Sequence, residues 1–332
     1  MGAGAIGSFV GGALAHVGAD VVLVGRESLG AALRERGMTL IELDRSRRDL
    51  AADRIAFSSH PEALATCDVV LCAVKSGQTA ETGDALHGVL REDAIVISLQ
   101  NGIHNASVLR ARLGSRLVLG AIVGFNVVWR DGSVFQRATS GPLVIEPSER
   151  PSAMELARLL ERAGFDVERP RDFASKQWSK LLMNLNNAVS ALSGAPTREL
   201  VLGAGYRRIV AAVIEEALVV LRAANIRPSR LGPLPPHVFP MMLRLPSWLL
   251  RPLARAQLKI DPEARSSMWQ DLDKRRLTEV EQLNGEIVAL AAKRGMRAPL
   301  NERIVKLVHD AEAQGAGSPN LSPDALWSAL RG

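Results

Sequence analysis

The chain changes its hydrophobic rhythm about half-way along. The first half is dominated by short runs of consecutive apolar residues: V-V-L-V at 21–24, D-V-V-L-C-A-V at 68–74, A-I-V-I-S-L at 94–99, and a longer run over 117–128. Such runs are the pattern of strands buried on both faces, as in a parallel sheet. Further short strands are predicted near Ile55, over 134–137, over 143–146 and near Val167, with turns at Asp131-Gly132 and Gly141-Pro142. Helical patterns over 8–17, about 61–66, from about 79 to 90, and 152–163 alternate with these strands. The section from Glu27 to Asp53 is rich in both charges and reads as surface. Alternating strands and helices predict an α/β fold with a doubly wound parallel sheet.

The second half is helical throughout. In W-S-K-L-L-M-N-L-N-N-A-V-S-A-L-S-G, residues Trp178, Leu181, Leu182, Leu185, Val189 and Leu192 recur at helical spacing, and Gly194 and Pro196 supply the stop. The spacing predicts one helix over 178–194, entered through 172–177. Lys180 and Asn184 stack on one line beside the apolar stripe, and Asn187 falls on that line one turn further. Helices are predicted over 209–224, over 266–293 with a stop at Gly295, and over 301–313, followed by a short terminal turn. Between the first two lies a proline-rich segment, 228–252, read as a connector over the surface. The change of rhythm predicts two domains, an α/β domain over 1–170 and an all-α domain over 171–332.

Composition narrows the class. A chain of 332 residues with 47% apolar content can fill two cores. No apolar run reaches the length of a membrane span, and no basic-then-apolar leader opens the chain, so a cytoplasmic location is expected. The two cysteines, Cys67 and Cys72, read as plain thiols rather than a disulfide or a metal site. The net charge of +6 is spread along the chain, and no nucleic-acid motif is present. A basic enzyme with an anionic cofactor and substrate accounts for that charge.

The candidate chemistry starts at the amino end. Gly2-Ala3-Gly4-Ala5-Ile6-Gly7 has G-x-G-x-x-G spacing and leads into an apolar helix and a strand. In a dinucleotide site the first glycine makes the tight turn, the second lets the backbone approach a pyrophosphate, and the third packs the helix closely. That turn should follow a strand, yet only Met1 precedes Gly2 here. The sheet is therefore expected to have its first, central strand truncated, with a misassigned start as the reason. At the end of the next strand, Arg26 is placed to take the 2′-phosphate of NADP, while the adjacent Glu27 keeps NAD open. Two later strands end in K-S-G-Q at 75–78 and Q-N-G-I-H-N at 100–105, outlining one polar rim where open α/β sheets bind ligands.

The glycine-rich start, A-V-K-S at Lys75, L-Q-N-G at Asn101, W-S-K-L-L-M-N at Lys180 and S-S-M-W-Q-D through T-E at Glu279 together resemble the ketopantoate reductase (2-dehydropantoate 2-reductase) family, in the right order along the chain. The resemblance implies a Rossmann domain followed by a helical domain of the 6-phosphogluconate dehydrogenase type. It implies NADPH-dependent reduction of 2-dehydropantoate to (R)-pantoate, on the route to pantothenate and coenzyme A. By position, Gly2, Gly4, Gly7, Arg26, Lys75 and Asn101 match cofactor-binding residues, with Asn101 also at the substrate. Lys180 matches the general acid, Asn184 and Ser267 match substrate contacts, and Glu279 matches the active-site carboxylate. Read from residues alone, Ser267 could equally be a helix N-cap and Glu279 a helical partner of Arg275. The family often carries an asparagine eight residues after the lysine. Here that position is Ala188, so either Asn187 takes its part or the pocket accepts another 2-keto acid. His104 stands where the family's loop usually has a small residue. A reductase of another branched 2-keto acid and a non-catalytic NADP-binding protein are the alternatives, and both monomers and homodimers occur in the family.

Overall fold

The structure, a computed structural model, describes residues 1–230, 234–250 and 265–332. The chain divides into two compact units, Met1–Phe173 and Ala174–Gly332.

The first unit is α/β. Its elements run α1 (Ala5–His16), β1 (Val22–Val24), α2 (Glu27–Arg36), β2 (Met38–Ile41), β3 (Arg47–Leu50), β4 (Ala56–Ser58), β5 (Val69–Cys72), α3 (Thr79–Val89) and β6 (Ile95–Ser98). Then come α4 (Asn105–Leu113), β7 (Leu117–Val123), β8 (Val127–Asp131), β9 (Val134–Arg137), β10 (Leu143–Ile145), α5 (Pro151–Arg162) and β11 (Val167–Glu168). The apolar runs form the sheet as expected: β5, β6 and β7 pair in parallel, and β10 and β11 extend that sheet in the order β11-β10-β7-β6-β5. β1 pairs in parallel with β4. Met1 lies between β1 and β5: its ammonium donates to Leu71 O, its carbonyl accepts from Ala73 N–H, and the N–H groups of Gly2 and Ala3 donate to Val24 O.

Several expectations need correction. The run over 117–128 is not one strand. β7 stays in the parallel sheet, whereas β8 joins a separate four-stranded sheet ordered β3-β2-β9-β8. Gly124 lies at the break, where a Cβ would come within 2.4 Å of Pro142 O. The charged section 27–53 is not mere surface but forms α2 and the β2–β3 hairpin, burying Leu29, Leu33, Met38, Leu40 and Leu50. Its core face is carried by isolated leucines among arginines, which hides the period. The helix α4 was not anticipated, and 61–66 yields only a 3₁₀ turn, Pro61–Leu64.

In the second unit the described elements are helices: α6 (Phe173–Asn184), α7 (Asn186–Ser193), α8 (Thr197–Leu202), α9 (Ala204–Ala223), α10 (Val238–Leu243), α11 (Ser267–Asp273), α12 (Asn284–Lys293), α13 (Pro299–Gln314) and α14 (Pro323–Arg331). Alanine-rich α9 carries the longest apolar face, with Ile209, Val213, Ala217 and Leu221 at helical spacing and essentially no exposure. Proline at the first turn starts α13, where the Glu216 carboxylate accepts from the N–H groups of Leu300 and Asn301. That contact supplies two donors a helix start leaves open.

The expected helix over 178–194 is two helices, broken at Leu185. The expected helix over 266–293 is also two. α11 closes at Arg275, whose φ is +52°, and 274–283 is irregular before α12. The proline-rich segment is not simply a connector, because Val238–Leu243 is helical. Pro233 and Pro252, which belong to the same segment, lie outside the described residues. Among the described residues no helix is long and apolar enough to cross a membrane.

Candidate active site

In the first unit, the glycine turn, Arg26, Lys75 and Asn101 gather at the carboxyl ends of parallel strands. Gly2 has φ +87°, and a Cβ there would lie 2.6 Å from Val74 N, so the turn both needs glycine and abuts the end of β5. A Cβ on Gly7 would sit 2.4 Å from Gly2 O. Around Gly4, the N-cap of α1, a Cβ would meet nothing within 4 Å. Two glycines are thus fixed by packing and one by open space in front of a helix N-terminus. That is the arrangement a pyrophosphate requires. The backbone fits the dinucleotide expected from the sequence.

Arg26 is exposed at the end of β1, with its guanidinium 5.9 Å from the Trp129 ring centroid. The neighbouring Glu27 carboxylate instead accepts from Arg34 across one face of α2. A carboxylate held by an arginine is poorly disposed to receive ribose hydroxyls, whereas Arg26 projects into solvent.

The strand ends carrying Lys75 and Asn101 are tied together by a buried polar network that the sequence did not reveal. Gln100 Nε2 donates to Thr79 Oγ1 at 2.7 Å, and Gln100 Oε1 accepts from Ser98 Oγ at 2.9 Å. Thr79 Oγ1 lies 2.8 Å from both Ser76 O and Asn105 Oδ1. Asn105 Nδ2 in turn reaches Ser76 Oγ and Asn101 O. Two loops and the starts of α3 and α4 are locked by one set of side chains. The only sequence hint was that both strands end in short polar residues. Gly102, at φ +87°, turns the second loop, and His104 is exposed as the N-cap of α4.

In the second unit, Lys180 and Asn184 lie one turn apart on α6, and Asn184 is buried. Burial of the Lys180 ammonium lowers its pKa from 10.5 to about 8, with no anion among the described residues offsetting the loss of hydration. The break at Leu185 places Asn187 on α7, so it is not simply the next step on the α6 line. Ala188 is fully buried in the helical core. Ser266, not Ser267, caps α11: its Oγ accepts from Trp269 N–H and donates to Asn187 O, tying α11 to α7. Ser267 is the first residue of α11 and is released from the capping role. Glu279, buried, lies in the irregular stretch between α11 and α12, so the helical stacking with Arg275 weighed from sequence does not exist. The residues expected at the cofactor thus lie in the first unit, and Lys180, Asn184, Ser267 and Glu279 lie in the second.

Family comparisons decide what these sets belong to. The ketopantoate reductase PanE/ApbA family matches residues 1–150, and its C-terminal domain matches residues 172–312. The chain belongs to the ketopantoate reductase family. A 2-dehydropantoate 2-reductase from Pyrococcus horikoshii is 29% identical over 321 residues, covering 96% of this chain and 98% of the relative. A ketopantoate reductase family structure from Ralstonia eutropha JMP134 is 30% identical, with TM-score 0.79 over 95% of this chain and 98% of that one. D-mandelate dehydrogenase, solved with NADH and anilino(oxo)acetate, shares the fold at 19% identity and TM-score 0.77, covering 95% of this chain and 97% of its own. The Rossmann unit followed by a helical unit is the architecture expected of this family of oxidoreductases.

Proposed function

We propose that this protein reduces 2-dehydropantoate to (R)-pantoate with NADPH as hydride donor. The observation that carries the reading is Lys180, an ammonium buried in the helical unit with no carboxylate paired to it among the described residues, in a chain of the ketopantoate reductase family. Retaining a charge in such a place costs stability, and a proton donor beside a developing alkoxide is a chemical reason to keep it. When bound, the reduced nicotinamide supplies hydride to C2 of the keto acid. Negative charge then grows on the C2 oxygen. Lys180 stabilises that charge and donates its proton to the oxygen. Asn184 holds a substrate hydroxyl, Ser267 donates to the substrate carboxylate, and Glu279 orients substrate or lysine. On the cofactor side, Gly2, Ala3 and Gly4 form the turn, the first-turn N–H groups of α1 at Ala5, Ile6 and Gly7 bind the pyrophosphate, Arg26 binds the 2′-phosphate, and Lys75 and Asn101 flank the nicotinamide.

The test is NADPH oxidation on adding 2-dehydropantoate, with the chain and Lys180→Ala side by side. The variant is expected to lose about 10²–10⁴-fold in kcat. Unchanged turnover in Lys180→Ala would overturn the assignment of the acid. A second reading, reduction of a different branched 2-keto acid, is favoured by Ala188, where an apolar, fully buried side chain stands eight residues after the lysine. A panel of 2-keto acids ranked by kcat/KM separates the two, and Asn187→Ala raises KM only if Asn187 substitutes for the asparagine found at that position in relatives.

A further inference from the structure

The stretch 274–283 between α11 and α12 is irregular yet carries Glu279, so helical backbone is not what holds that carboxylate in place. Val280 and Leu283 anchor the stretch in the core, at no more than 2% exposure. Its backbone adds turns, with Gln282 N–H donating to Glu279 O and Gly285 N–H to Val280 O. Further ties come from side chains, and they converge on His309 of α13.

The contacts run on either side of Glu279. On one side, Thr278 N–H donates to Glu312 Oε1 at 2.7 Å, and Glu312 Oε2 lies 2.8 Å from His309 Nδ1. On the other, Glu281 Oε1 lies 2.7 Å from His309 Nε2, and its Oε2 packs where Gly285 leaves no Cβ to obstruct it. Val280 N–H donates to Thr278 Oγ1, tightening the turn between the two anchor points. One imidazole ring therefore grips positions 278 and 281 through two carboxylates.

Carboxylates on opposite ring nitrogens fix the state of the ring. A neutral imidazole has one N–H and one lone pair, and that lone pair would face a carboxylate oxygen. Only imidazolium donates to both. Glu281 and Glu312 are the charged groups that face the ring. Helices α7, α9, α12 and α14, which also pack on α13, bring it no further charge among the described residues. His309 is 44% and Glu281 57% exposed, so these pairs add little to stability. What they supply is geometry.

We propose that His309 is a positioning residue for the proposed reduction: as imidazolium it clamps positions 278 and 281 and thereby holds the Glu279 carboxylate between them. The proposal rests on the reading of Glu279 as the active-site carboxylate. When the ring loses its proton, one arm of the clamp opens and Glu279 gains freedom. A misplacement of about 1 Å can cost ~10²-fold in rate, so opening one arm is expected to cost about 10-fold.

The test is a double-mutant cycle on the full chain, reading kcat/KM for the best-reduced 2-keto acid at pH 6. His309→Leu removes both donors and is expected to lower kcat/KM about 10-fold while leaving KM for NADPH unchanged. His309→Lys keeps a cation between the carboxylates and should restore most of the loss. In a Glu279→Gln background, His309→Leu should cost less than about 2-fold, because the group it positions is already gone. The ratio of kcat/KM for the unsubstituted chain to that for His309→Lys cancels the Lys180 ionisation, which both share. Carboxylates on both sides hold the His309 pKa above the usual histidine value, and that ratio should fall as pH rises through it. A ratio flat from pH 6 to 9, or an equal factor lost in both backgrounds, overturns the proposal while a costly Glu279→Gln leaves the reading of Glu279 standing. Undiminished kcat/KM in Glu279→Gln removes that reading and the proposal with it. Amide exchange gives a readout free of turnover. Relative to the amides of α9, those of Thr278 and Val280 should exchange at least ~10-fold faster in His309→Leu and not in His309→Lys. Unchanged exchange there in His309→Leu refutes the clamp.

Discussion

Lys180 makes opposite demands on activity and on stability. Its pKa near 8 keeps the ammonium predominantly protonated at neutral pH, so reduction should hold steady below that value and decline as pH rises through it. A kcat/KM profile for 2-keto acid reduction, which reports the free enzyme, with no break between pH 7 and 9 would contradict this. Because the folded pKa lies below the usual 10.5, the charged form is disfavoured by folding at every pH below that value. The penalty at pH 7 is roughly 3 kcal/mol and vanishes above the unfolded pKa. Lys180→Met is therefore expected to raise the Tm at pH 7 while abolishing turnover, the two effects read from one preparation. Arg26 offers a second residue-level test. An exposed guanidinium that binds the 2′-phosphate by charge-assisted bonds should, when replaced by alanine, raise KM for NADPH about 10–100-fold and leave KM for NADH nearly unchanged. Equal effects on both cofactors would show that Arg26 serves another purpose. Candidates of this kind can be named from sequence because the chemistry proposed for them depends on residue type and position. The capping role of Ser266 was not, because two adjacent serines are indistinguishable until the backbone chooses one.

At the scale of elements, the network joining the ends of β5 and β6 is the feature periodicity could not supply. Thr79, Ser98, Gln100 and Asn105 are all buried, and each hydrogen-bonds another member across 2–26 positions of sequence. Thr79→Val keeps the shape but strips both the acceptor of Gln100 Nε2 and the hydroxyl beside Asn105. Leaving such groups unpaired costs about 1–3 kcal/mol, which calorimetry should register, and the loosened loops should raise KM for the cofactor. Thr79→Ser should restore both. A second device fixes the irregular segment that carries Glu279. His309, on α13, meets Glu281 at 2.7 Å and Glu312 at 2.8 Å, and Glu312 also accepts from Thr278 N–H. Those carboxylates, Glu281 foremost, raise the His309 pKa. The resulting stabilisation is complete below the unfolded histidine value and is lost as pH rises through the raised one. His309→Gln should accordingly lower stability at pH 5.5, by less than about 1 kcal/mol because the pair is partly exposed, and not at pH 8.5, which the Tm at the two pH values checks. The breaks that create this segment were hidden for a simple reason. The apolar spacing of 266–293 continues through Val280 and Leu283, which are buried without being helical.

Across the whole molecule, the strands that form the sheet were legible because a strand buried on both faces has to be apolar along its length. The helical half was legible from its 3.6-residue period. The β2–β3 hairpin escaped because its strand 47–50 shows three polar residues out of four and buries only Leu50. Pairing across distant segments, such as Thr39 with Val134, leaves no local trace in sequence. The same non-local character makes the glycine turn depend on the sheet beneath it. Gly2 rests on Val74 and Gly7 on the Gly2 carbonyl, so backbone of the turn is held by the end of β5 rather than by its own helix alone. Nucleotide binding should therefore stabilise the entire first unit and not merely the turn. At free NADP⁺ about 100 times its Kd the gain is ~2.7 kcal/mol for a ligand that binds only the folded state. Hydrogen exchange with NADP⁺ should show added protection reaching β1, β5 and β6 as well as residues 2–7. Protection confined to residues 2–7 would mean that the turn closes on the nucleotide independently of the sheet. Gly7→Ala provides the reciprocal measurement. Its Cβ cannot fit 2.4 Å from a backbone oxygen, so the turn must shift. The variant should lose both NADP⁺ affinity and the nucleotide-induced protection of β5.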